Sequence, residues 1–190
     1  STIQGNKLTI SSDELILSSE KNSTDENKKD SNLVSSTTID INANTIKNAN
    51  GYMAANEEIN ITAKNIDNSN TIIVTNDNLN VNSQDEGVFK SVNSILQAKK
   101  KVELKINDFE GSGSTIQGEL ISIDSNNFNA KSTNILALSA DLELNINNLN
   151  LNDSLLYSEK DISINSNKFI SNYLDIQADN NINIDSSIID

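Results

Sequence analysis

Apolar residues along this chain fall two apart, then three apart, and the same figure returns about every 20 residues. The stretch Ser114–Phe128 shows it most plainly, as Ile121-x-Ile123-x-Ser125-x-x-Phe128. The figure returns at Leu8/Ile10/Ser12/Leu15, Ile39/Ile41/Ala43/Ile46 and Ile59/Ile61/Ala63/Ile66, and later at Leu142/Leu144/Ile146/Leu149, Ile162/Ile164/Ser166/Phe169 and Ile182/Ile184/Ser186/Ile189. Two copies fit less closely. Leu79/Val81/Ser83 reaches its last apolar position late, at Val88 or Phe89, and Val102/Leu104/Ile106/Phe109 follows a small insertion.

A repeat this short cannot bury an apolar face alone, so the copies must stack. The spacing predicts an all-β fold, a parallel β-helix of about nine coils of roughly 20 residues each. At about 4.8 Å between stacked strands, nine coils make a rod of about 40 Å. The whole chain, 1–190, is therefore read as one shaft segment. Both ends fall in or beside repeat coils, which suggests a piece of a longer protein.

Period two within each coil turns the apolar and small residues inward and the residues between them outward. Stacked in register, each position becomes a column along the rod. The inward small column, Ser12, Ala43, Ala63, Ser83, Ile106, Ser125, Ile146, Ser166 and Ser186, is expected to mark a bend with little room. An upstream apolar position at Ile3, Val34, Val74, Ile116 and Tyr157 predicts a further strand, giving two or three strands per coil.

Two outward columns check this register independently of hydrophobicity. One runs Thr9, Asp40, Asn60, Asn80, Glu103, Ser122, Glu143, Ser163, Asn183, and no two acids are adjacent in it. The other runs Ser11, Asn42, Thr62, Asn82, Lys105, Asp124, Asn145, Asn165, Asp185, and sets Lys105 beside Asp124. Like charges stacked a strand apart repel, and both columns avoid that. Amides stacked in register can hydrogen-bond up and down a ladder, which accounts for so much asparagine in strands.

Two stretches break the period. Glu20–Asp30, EKNSTDENKKD, holds no apolar residue and is read as an excursion loop; a second break lies around Gln84–Lys90. Loops leaving a solenoid escape the stacking constraint, so recognition is expected there. The candidate binding residues are Glu20, Lys21, Asn22, Asp25, Glu26, Lys28, Lys29 and Asp30, with Gln84–Lys90 as a second contributor. The GSGS at Gly111–Ser114 is read as a turn.

Composition sharpens this picture. Proline is absent, as an unbroken parallel ladder requires. A polar tract rich in Asn and Ser reads as disorder on composition alone, but disorder does not hold a two-residue alternation in phase over nine repeats. A net charge of −13 argues against nucleic acid and anionic membranes as partners, and the basic run Lys99–Lys101 is read as a solvated turn. No run of 18 apolar residues is present to span a bilayer as a helix.

Candidate chemistry is sparse. With no histidine and no cysteine, Ser-His-Asp and Cys-His nucleophiles, the common zinc sites and disulfides are all excluded. Carboxylates are scattered over outward positions instead of paired, so no catalytic residue, cofactor or metal site is assigned and the chain is read as non-enzymatic. The glycine-rich nonapeptide of calcium-binding β-rolls is missing, which leaves only incidental cation binding at Asp77, Asp85 and Glu86. Asn-x-Ser/Thr sequons at Asn22, Asn60 and Asn152 occur at the level such a composition produces by chance.

The segments Ser35–Ser69 and Leu138–Asp153 resemble the haemagglutinin repeats of filamentous-haemagglutinin-type proteins. These are the secreted partners of two-partner secretion systems, including large adhesins and contact-dependent growth inhibition proteins. The resemblance covers nearly the whole chain apart from Glu20–Asp30. It implies a right-handed parallel β-helix exported through an outer-membrane transporter barrel to the bacterial surface. The family's amino-terminal secretion motifs and carboxy-terminal toxins have no counterpart here, so the resemblance places this segment in the central shaft. The implied partners are the transporter during export and a host or neighbouring-cell receptor or glycan. The competing readings are a carbohydrate-active β-helix enzyme and an autotransporter passenger.

Overall fold

The computed structural model describes residues 1–18, 31–83 and 86–190, and every element in them is a β-strand. The first coil is β1 (Thr2–Gly5) and β2 (Leu8–Ser18), the second β3 (Ser31–Ser35) and β4 (Ile39–Ala49), the third β5 (Gly51–Ala55) and β6 (Ile59–Ser69). The fourth has three strands, β7 (Ile72–Thr75), β8 (Asn78–Ser83) and β9 (Val88–Val92). The fifth is β10 (Ile95–Ala98) and β11 (Lys101–Ser112), the sixth β12 (Thr115–Gly118) and β13 (Leu120–Lys131). The seventh is β14 (Asn134–Ala137) and β15 (Leu142–Asn152), the eighth β16 (Leu155–Ser158) and β17 (Ile162–Asn172), the ninth β18 (Asp175–Ala178) and β19 (Ile182–Ile189).

Each coil thus contributes one short and one long strand, and all pairing is parallel. The short strands form a nine-stranded sheet in the order β1-β3-β5-β7-β10-β12-β14-β16-β18. The long strands form the other sheet, in which β8 and β9 share one level between β6 and β11. The expected β-solenoid is the observed fold.

The long strand turns a corner without breaking its ladder. In β4 the buried residues are Ile39, Ile41 and Ala43, then Ile46 and Asn48, so the alternation slips by one residue between 43 and 46. Ala43 and Ala63 keep that corner small, yet Ile106 and Ile146 are buried in the same column. Ser125 lies between those two isoleucines in register and offsets their bulk. The corner is therefore roomier than a small-residue column implies, because large and small residues alternate along it.

The core is one stack. Leu33, Met53, Ile73, Leu96, Ile116, Ile135 and Leu156 fill it from the short strands. The register there corrects the sequence reading at three positions. Ile3 pairs with Leu33, and Val34, Val74 and Tyr157 face outward, one residue out of phase with the buried column. Strings of adjacent apolar residues, Leu33-Val34, Ile72-Ile73-Val74 and Leu155-Leu156-Tyr157, leave the period-two phase undefined, and a slip of one residue exchanges the faces.

From the second coil on, between the long strand of one coil and the short strand of the next lie one or two residues, the first of them in the left-handed region. Asn50, Asn70, Asn93, Gly113, Ser132, Asp153 and Tyr173 all take positive φ, between 49° and 62°, at seven successive corners. Asn and Asp tolerate this left-handed region through local side-chain hydrogen bonding, and Gly has no Cβ to clash. The residues Asn50 to Asp153 in this column also donate their backbone N–H to the following coil, as in Asn70 to Val92 O at 2.7 Å. The ladder thereby passes through the corner unbroken. Gly113 is the turn that the GSGS stretch supplies, whereas Gly111 lies inside β11 with its α-carbon against the Phe109 ring.

Candidate functional site

The candidate loop Glu20, Lys21, Asn22, Asp25, Glu26, Lys28, Lys29 and Asp30 lies outside the described residues, as do Gln84 and Asp85. Their attachment points are defined. Ser18 pairs with Ala49 and Ser31 with Gly51, two residues that Asn50 alone joins one coil later. The second break departs from the corner inside the long strand, between Ser83 and Val88, where Asn107 alone connects Ile106 to Asp108 in the next coil. The two breaks are therefore attached at different corners of the solenoid.

Asparagine ladders cover the outward faces. Asn60 donates Nδ2–H to Asp40 Oδ1 at 2.9 Å and receives one from Asn80 at 2.8 Å, along the column read from sequence. At the corner of the long strands, Asn127 donates to Asp108 at 2.5 Å and receives from Asn148 at 2.8 Å, while Asn147 donates to Asn126 and receives from Asn167. In the second column Asn165 donates to Asn145 at 3.0 Å. Lys105 sits in register with Asp124, yet its ammonium pairs with Glu103 Oε2 at 3.3 Å. These amides are occupied with one another, which leaves the faces regular and neutral at most of their positions.

Two of the sequons are absorbed into this bonding. Asn60 is half-buried between Asp40 and Asn80, and Asn152 donates to Asn150 within its own strand at 2.9 Å. Asn22 lies among the residues that are not described.

Asp77 pairs with Lys100 at 2.9 Å, and Glu86 sits exposed at a positive-φ turn. Among the described residues no three carboxylates converge in a way that could hold a metal ion. A corner groove of about 340 Å³ lined by Asn82, Lys105, Asn107 and Asn126 contains one acid, Asp124. A groove of about 480 Å³ further along, lined by Asn145, Asn147, Asn165 and Asn167, contains one, Asp185. The hydrogen bond from Asn60, then Lys7, holds the Asp40 carboxyl below its ordinary value, and Lys101, helped by Lys105, does the same for Glu103. Both shifts favour the ionised form, opposite to what a general acid needs.

A buried polar track, which sequence reasoning missed, runs along the left-handed corners. Ser94 Oγ accepts from Thr71 N at 3.2 Å and donates to Asn68 O at 2.7 Å, and Ser114 Oγ accepts from Ser94 N at 3.2 Å and donates to Ser91 O at 2.9 Å. Thr133 N donates to Ser154 Oγ in the same manner. The signal was present as a polar residue followed by Ser or Thr once per coil: Asn70-Thr71, Asn93-Ser94, Gly113-Ser114, Ser132-Thr133 and Asp153-Ser154. Asn48 and Asn68 extend the track, joined at 2.8 Å inside the core. The hydroxyls satisfy backbone groups that a sheet corner would otherwise strand without partners, whereas the two amides bond each other. This track serves the fold.

No family model, curated protein or solved structure matches the chain.

Proposed function

We propose that this chain is a structural and adhesive shaft segment of a secreted bacterial surface filament, of the haemagglutinin-repeat kind exported by two-partner secretion. One observation carries the reading: both ladders continue in register from the first coil to the ninth, so the segment holds its two ends apart as a rod. A rod of this sort serves to present something else at a distance. The absence of cysteine also suits passage through a transporter barrel, since no disulfide can close the chain beforehand. A fold made almost wholly of contacts between coils forms slowly, which gives an exported chain time to emerge before it folds. Within this reading, recognition of a receptor or glycan falls to Glu20–Asp30, and the scattered carboxylates serve solubility.

The test is export. The segment, placed behind a two-partner secretion leader and followed by an epitope, is co-expressed with the matching transporter barrel. The epitope should become accessible to antibody on intact cells. Retention in the periplasm, under conditions that export an established shaft segment of equal length, contradicts the proposal.

A further inference from the structure

The outer face of the short-strand sheet differs from every other surface of the rod. Its nine strands each present two outward residues, and of these eighteen only Asp175 is charged, although 22% of the whole chain is charged. Tyr52, Ile72 and Ile95 stack in register on three successive coils and are 36%, 41% and 39% exposed. Apart from these three, the large exposed apolar residues lie on the first and last coils or at the Tyr173 corner. Val34, Ala54 and Val74 form the neighbouring column, which continues through Gln97 and Gln117 to Leu136 and Tyr157. Depletion of charge with retention of aromatic and aliphatic side chains is the composition of an interface core.

We infer that this face packs against the same face of a second copy of the chain, side by side along the rod. Charge selects that occupant. A chain of net charge −13 repels its own copies through most of its surface, and this face is where two copies meet without opposing charges. One edge of the face carries charges of both signs, with Glu57, Asp77 and Glu159 among Lys99, Lys100 and Lys160, and the other carries the corner column, where only Asp153 is charged. A two-fold axis parallel to the rod sets each charged edge against the partner's nearly uncharged corner edge, so the two charged edges do not face each other. It also places the Tyr52, Ile72 and Ile95 column over the partner's Ala54, Val74 and Gln97 column. A face about 40 Å long and about 13 Å wide buries about 1,000 Å² over two copies, the lower limit for a specific interface. The association is accordingly weak between single segments and grows with the number of coils in line.

Sedimentation velocity on the 190-residue chain, from micromolar to about 0.5 mM, tests this within the range of a weak interface. The weight-average sedimentation coefficient should rise toward that of a dimer and should not fall when salt is added. Ile72→Asp and Ile95→Lys introduce opposite charges at outward sites, so each should keep its β circular dichroism spectrum and weaken association at least about tenfold. Asn129→Asp, outward on the long-strand sheet, should leave association unchanged. A wild-type chain that stays monomeric throughout overturns the inference. So does association that survives both face variants, which would run through the apolar coil ends at Ile182–Ile189 instead. Association abolished by salt would assign the contact to charged edges and overturn it equally.

Discussion

Phe109 and Phe128 stack face to face across two coils, with ring centroids 4.2 Å apart and planes 6° from parallel. Phe89 meets Phe109 edge-on at 5.6 Å, so three buried rings form one column immediately beyond the insertion in the fourth coil. The rings anchor the coil whose long strand is interrupted. Phe109→Ala should therefore cost about 3–5 kcal/mol, the range for emptying a buried aromatic site. Urea denaturation followed by circular dichroism measures it. A loss below about 1 kcal/mol would show that the column is not packed as described.

The Asn48 and Asn68 pair is a buried polar contact that an apolar pair of similar size could replace. Leu17 and Leu151 occupy the same column in the first and seventh coils. Asn68→Leu alone should cost about 1–3 kcal/mol by stranding the Asn48 amide. Adding Asn48→Leu should recover most of that loss, which a double-mutant cycle in urea detects. Additive losses would contradict the pairing.

Tyr173 holds φ at 53° where other corners use Asn, Gly, Ser or Asp, and its side chain is 83% exposed. Left-handed backbone costs a bulky residue about 1–2 kcal/mol with nothing buried here in return. Tyr173→Gly should raise the thermal midpoint, and an unchanged or lower midpoint would place the strain elsewhere.

Stability should fall in acid for a local reason. Asp40 and Glu103 have lowered pKa values in the fold, from ordinary values of 3.8 and 4.5. A group lowered by folding contributes stability above its unfolded pKa and loses it as pH falls through the folded one. The decline should begin near pH 4.5 and continue below 3.8, and the double variant Asp40→Asn, Glu103→Gln should show a shallower decline. Both groups keep some solvent contact, so the effect is modest. Identical pH profiles would contradict it.

Much of this architecture was legible in sequence, because the long strands alternate cleanly and their inward positions 39, 41, 43 and 46 recur in phase. The late apolar position of the fourth coil was legible only as Val88 or Phe89, and the register with Ile66 selects Phe89. The phase of the short strands was not, since Val34, Val74 and Tyr157 are apolar on the outside and compete with Leu33, Ile73 and Leu156 for the inward position. The left-handed corner positions were not legible, because Asn is so common here that an Asn in a turn carries little information. Gly111 was misplaced in a turn for the opposite reason: glycine suggests a turn, but here it makes room for an aromatic ring.

Residues 19–30 link Ser18 to Ser31 in sequence, whereas Asn50 alone links their partners Ala49 and Gly51 one coil later. Replacing residues 19–30 with a single Asn should leave the thermal midpoint within a few degrees, because shortening a loop changes closure cost by only about 0.6 kcal/mol per halving. Cell or glycan binding lost in that form would support recognition by Glu20–Asp30, and binding kept would move recognition to the shaft faces.

The central claim is a straight stack of evenly spaced coils, and distances between spin labels test it most directly. The chain contains no cysteine, so Asn60→Cys paired with Ser122→Cys or with Ser163→Cys accepts labels only where placed. All three residues lie in one outward column, three coils apart in the first pair and five in the second. Pulsed electron paramagnetic resonance should give narrow distributions whose centres differ by about 10 Å, two coil spacings of about 4.8 Å. Equal distances, or distributions too broad to separate, would contradict the account.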